Sequence, residues 1–147
     1  MRFLLSTWIV VIFILTCTKD VYCLLEGEVA FVIAQNPYWS DLFTLDPWHH
    51  ISWIEFVGHF FMFLILTGLL IAVLQRVLSA VVIAFLFGTV TELVQPFFSR
   101  GAEGIDLLAN TVGIISCVIL YGVLKIGFEM NREKEPEPEK RDVDCQH

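Results

Sequence analysis

Charge is scarce in this chain. Asp, Glu, Lys and Arg supply 17% of 147 residues against 56% hydrophobic ones, and mean hydropathy is +0.72, a balance that no soluble domain of this size strikes. The nine basic residues form no external patch, which leaves nucleic acid without support as a partner. The four cysteines, Cys17, Cys23, Cys117 and Cys145, build no disulfide framework and have no metal-ligand spacing. Cys17 and Cys23 read as free thiols in preference to a pair. His49 and His50 are adjacent, so their side chains point apart, and they read as interfacial polar residues rather than metal ligands. There is no phosphate loop, no nucleophile motif and no internal repeat of the kind that marks many transporters. No cofactor and no metal are implied.

Apolar residues dominate what remains, and a helix needs roughly 20 of them in succession to cross a bilayer core of about 30 Å. Four stretches reach or approach that length: Phe3 to Cys17, Phe56 to Leu74, Val77 to Phe98 and Ile105 to Ile126. They predict an all-α, polytopic integral membrane protein with four transmembrane helices. The organisation expected is a first helix over 1–18, an extracytoplasmic loop over 19–53, a three-helix core over 54–127 and a disordered tail over 128–147. The loop carries Asp20, Glu26, Glu28, Asp41 and Asp46 with several aromatic residues, and 24–34 suits a short helix lying on the surface. The tail, Glu-Lys-Glu-Pro-Glu-Pro-Glu-Lys at its centre, has nothing to bury.

Lysine and arginine set the orientation, since short cytoplasmic loops hold their excess. Arg2, Arg76, Lys125, Arg132, Lys134, Lys140 and Arg141 fall inside when both termini are cytoplasmic, leaving only Lys19 and Arg100 outside. The expected localisation is the cell membrane, multi-pass. The first segment also has features of a signal peptide, but no small-x-small cleavage site follows it, and retention is the preferred reading.

Against this apolar background the polar residues stand out, because an intramembrane polar group is expensive and is a functional candidate by default. Gly88, Glu92 and Gln95 fall at i, i+4, i+7 on the third segment, and Asp106, Asn110 and Gly113 at the same spacing on the fourth. Each trio lies along one helical stripe. Glu55 and His59 share a face of the second segment. A short connection makes the third and fourth segments an antiparallel hairpin, so the polar groups gather near the outer ends of helices 2–4. The expected site is an accessible notch lined by Glu55, His59, Glu92, Gln95, Asp106 and Asn110 under Arg100, with Gly88 and Gly113 allowing close helix packing.

These residues carry a resemblance: the chain is similar to the VanZ-like membrane protein family. Glu55 four positions before His59-Phe60, Glu92-Leu-Val-Gln95, then Arg100, then Asp106-Leu-Leu-Ala-Asn-Thr-Val-Gly113 match its motifs over roughly Ile54 to Tyr121. Two positions depart from the pattern, with Glu55 where aspartate is usual and Phe56 where lysine is common. The resemblance implies an envelope-associated role and a link to resistance against teicoplanin, and it implies no reaction.

Three functions remain open from the residues. In the preferred one, the notch binds a lipid headgroup, a lipid-linked cell-wall precursor or a lipoglycopeptide at the membrane surface. A second is an enzyme acting on an envelope lipid, with His59 and Glu92 as an acid/base pair. In the third, the polar set is interhelical glue, with Glu92 satisfied by Arg100 or His59 and Asn110 bonded to Gln95. No catalytic residue is assigned. The lipid bilayer is the certain partner, and a homo-oligomer is compatible with the small size.

Overall fold

The computed structural model describes residues 1–18, 27, 31–37, 39 and 52–132. They form α1 (Arg2–Cys17), α2 (Trp53–Leu74), α3 (Val77–Val94), a 3-10 turn (Gln95–Phe98) and α4 (Gly104–Arg132), with no strand among the described residues. The protein is all-helical and polytopic. The described residues contain three helical stretches long and apolar enough to cross a membrane: the 22 residues of α2, the 22 of Val77–Phe98 and the 29 of α4. α1 is also apolar but only 16 residues long, about 24 Å at 1.5 Å per residue.

Local sequence explains most of the boundaries. α2 stops where Gln75 takes a left-handed conformation, φ 55°, its backbone N–H capping the Ile71 carbonyl. Arg76 then starts α3 with no further linker. Pro96 cannot donate to an α-helical ladder, and at that point the helix tightens into the 3-10 turn, which ends at Ser99, φ 57°. α4 outruns the sequence reading: residues 128–132, expected in the tail, are helical through Arg132. An exposed Lys125–Glu129 pair at i, i+4 (3.9 Å) and Arg132 in the last turn both favour the added helix. The surface helix expected over 24–34 falls mostly outside the described residues, and its described end, 31–34, is not helical. The rest of the tail, 133–147, and most of the loop also lie outside them.

α2 and α4 form the closest interface, α3 packs against both, and α1 leans on α2 and α3. Phe63, Leu66, Leu70, Ile71, Ala80, Ala84 and Ile114 fill the centre, joined by Ile12 from α1. The outer faces show Val57, Phe61 and Ile65 on α2, Val82, Leu86 and Val90 on α3, and Val112, Ile115 and Ile119 on α4, the apolar surface a lipid-facing bundle presents. The Phe run on α2 thus divides, Phe61 outward and Phe63 inward. The C-terminal end of α1, the N-terminal ends of α2 and α4 and the 3-10 turn meet at one end of the bundle, where Arg100 ties the end of α1 to α2.

Candidate functional site

Glycine is what closes the polar end. A Cβ on Gly113 would overlap the Phe60 carbonyl oxygen and sit 3.2 Å from the Leu64 nitrogen, so glycine there lets α4 lie directly on the α2 backbone. On α3, a Cβ at Gly88 would come within 2.9 Å of the Phe63 ring and 3.4 Å of Asn110 Nδ2. With the helices this close, the short side chains one turn nearer the end reach one another.

Asn110 is the hub. Its Oδ1 lies 3.0 Å from His59 Nδ1 and its Nδ2 donates to Glu92 Oε1 at 3.4 Å, joining all three core helices. Because an amide oxygen only accepts, the ring hydrogen of His59 sits on Nδ1. Nε2 then faces Asp106 Oδ2 at 3.6 Å with no hydrogen-bond partner. Gln95 satisfies its amide best with the nitrogen toward Glu92 Oε2, at 3.2 Å, and the Gly101 carbonyl, at 3.1 Å. Two amides from different elements therefore hold the Glu92 carboxyl group, and His59 Nδ1 stands 3.6 Å from its Oε1.

Arg100 has other partners than the sequence reading gave it. Its Nη2 donates to Glu55 Oε1 at 3.0 Å, while Nη1 donates to the Leu15 carbonyl at 3.1 Å and reaches the Thr18 carbonyl at 3.5 Å. Those carbonyls belong to the frayed end of α1, which has no intrahelical donors left for them, and the cation also suits the negative end of the helix dipole. Arg100 is thus a cap for α1 as well as a partner for Glu55.

The structure brings Glu55, His59, Glu92, Gln95, Arg100, Asp106 and Asn110 to the same end, but as two layers instead of one open notch. The inner layer is closed: His59 is 2% exposed, Glu92 1%, Gln95 0%, Asp106 3% and Asn110 1%. The outer layer is the Arg100–Glu55 pair, with side chains 9% and 27% exposed. Closure follows from the glycines, which remove the gap between helices, and from α1, whose end no pattern of residues places there in advance. The pairing within the set also differs from the expectation that Asn110 bonds Gln95. Among the described residues, His59, Glu92 and Asp106 are the one group able to offer three ligand atoms to a metal ion, all within 4.8 Å of one another.

No protein-family model matches this sequence, and no solved structure matches it. The curated proteins do include a relative, "Uncharacterized membrane protein YwnJ" of Bacillus subtilis (strain 168), 33% identical over 136 residues that cover 90% of this chain and 95% of that one. Likeness of that degree over nearly the full length of both chains places this protein in the family of the membrane protein YwnJ.

Proposed function

We propose that this protein is a VanZ-like component of the bacterial cell envelope that engages a ligand at the membrane–water interface and modulates susceptibility to glycopeptide and lipoglycopeptide antibiotics. The observation that supports this reading is convergence: residues scattered from Glu55 to Asn110, the same ones that resemble the VanZ-like motifs, meet at one end of the bundle. Arg100 and Glu55 are the groups a ligand meets first. A phosphate or carboxylate on a lipid headgroup, a lipid-linked precursor or the antibiotic itself can take over the guanidinium that Glu55 now holds, in the bidentate fashion arginine favours. The proposed orientation puts this end outside and both termini in the cytoplasm, as the basic residues indicate.

Helix packing alone is the competing account, and one substitution separates the two. Arg100→Lys keeps a positive charge with donors for Glu55 and the α1 carbonyls, so a packing role predicts unchanged membrane abundance and unchanged susceptibility. The ligand reading predicts unchanged abundance with loss of the effect on susceptibility, because lysine lacks the planar fork that holds a phosphate or carboxylate at two points. Immunoblotting of membranes alongside teicoplanin inhibitory concentrations, in cells with and without the protein, decides between them.

A further inference from the structure

We propose that His59, Glu92 and Asp106 bind a divalent ion of the first transition series, with Zn2+ and Mn2+ the best matches to one imidazole nitrogen and two carboxylate oxygens. The inference begins at His59 Nε2, a buried nitrogen without a hydrogen-bond partner. Asn110 holds the ring hydrogen on the opposite nitrogen, so a neutral imidazole turns its lone pair toward the oxygen of Asp106, 3.6 Å away. Two electron-rich atoms are poor neighbours at that distance unless positive charge lies between them. Ligands sharing one metal at about 2.0–2.2 Å each are roughly 3.0–3.5 Å apart, close to the separation found. Glu92, whose Oε1 lies 3.6 Å from the ring's other nitrogen, supplies the third ligand atom, one atom from each of the three residues lying within 4.8 Å of the others.

Charge and support agree with that assignment. The inner layer holds two carboxyl groups, while the nearby guanidinium is engaged by Glu55 and the α1 carbonyls, so a divalent cation balances what no fixed charge inside the layer does. A metal-bound histidine ordinarily donates its other N–H to an oxygen that fixes the ring, the part Asn110 plays. Gln95 and Asn110 orient the Glu92 carboxyl group in the same way. This goes beyond the susceptibility reading, and it is measured by metal content, so the two fail separately.

The test uses the full chain, purified in detergent without an affinity tag, with His49, His50 and His147 changed to Ala and Cys145 to Ser to remove other ligands. After chelation, exposure to Zn2+ or Mn2+ and gel filtration, elemental analysis should find one equivalent per chain. Ca2+ and Mg2+ should not be retained. Asp106→Asn and His59→Gln should each fall below about a tenth of an equivalent, whereas Lys125→Ala, at the other end of α4, should keep the full amount. Metal retained undiminished by both ligand variants overturns the site, as does equal retention of Ca2+. Should those variants fail to fold, Co2+ added to the parent chain must still give visible absorption that Zn2+ bleaches. A parent chain that retains no metal and gives no such absorption overturns the proposal by itself.

Discussion

At the scale of single residues, two kinds of polar group share the bundle and only one of them links helices. Thr67, Thr91 and Thr111 spend their hydroxyls on carbonyls of their own helices, Phe63, Gly88 and Leu107, a local solution that asks nothing of a neighbour. Asn110, Glu92 and His59 reach across instead. Glycine decides how near they come, and its two positions should respond differently to alanine. At Gly113 the new methyl meets backbone that cannot step aside, so Gly113→Ala should destabilise by about 1–3 kcal/mol and loosen the α2–α4 contact. Gly88→Ala meets mainly the Phe63 ring, which can tilt, and should fall at the small end of that range. Thermal unfolding in detergent measures both, and equal losses would contradict the geometry. The i, i+4, i+7 spacing made these residues legible in the sequence. The partners were not, because spacing fixes which face a side chain occupies and not which of several nearby acceptors it meets. Hence the packing reading pairs Asn110 with Gln95 and Glu92 with Arg100 or His59, where the structure gives Asn110 to His59 and Glu92, sets His59 3.6 Å from Glu92 and gives Arg100 to Glu55.

At the scale of elements, the three core helices were readable from apolar length alone, and Pro96 marked where α3 tightens. Composition also said that α1 is a membrane helix, but nothing in it said where α1 packs. That placement depends on contacts between distant positions: Trp8 Nε1 donating to the Met62 carbonyl at 3.0 Å, the Phe13 ring edge-on to Phe98 at 6.0 Å, and Arg100 on the last turn. Arg100 is the charged link among these and the one at the last turn, so Arg100→Ala should release the end of α1 while the core stays folded. Hydrogen bonds from a charged donor contribute about 1.5–3 kcal/mol each, and with Glu55 27% exposed the lower figure applies to that pair. Hydrogen exchange at residues 14–18 should therefore speed up by roughly tenfold or more, each 1.4 kcal/mol being one decade, with little change in 62–71. No acceleration would mean that the aromatic contacts alone hold α1.

For the whole molecule, alternation of direction places the contacts of His59, Glu92, Arg100 and Asn110 at one end and the Gln75–Arg76 turn with the end of α4 at the other. The basic residues distribute the same way, Arg100 at the polar end and Arg76, Lys125 and Arg132 opposite, and the proposed orientation, with the polar end outside, rests on that asymmetry. This orientation needs α1 to cross although it is shorter than its neighbours. A short helix is accommodated by local thinning of the bilayer and by flanking side chains that reach for the interface, and Arg2 stands at its start to do so. Sidedness is directly measurable. In a chain whose native cysteines are replaced by serine, cysteine introduced at Gly101 should react with a membrane-impermeant maleimide in intact cells. Cysteine introduced at Lys140 should react only after the membrane is opened. Labelling of both in intact cells would mean that an even number of crossings separates them, contradicting the single crossing of α4. The reverse pattern would keep the bundle and turn it over, placing the Arg100–Glu55 pair in the cytoplasm, where an antibiotic acting on the outer surface could not reach it.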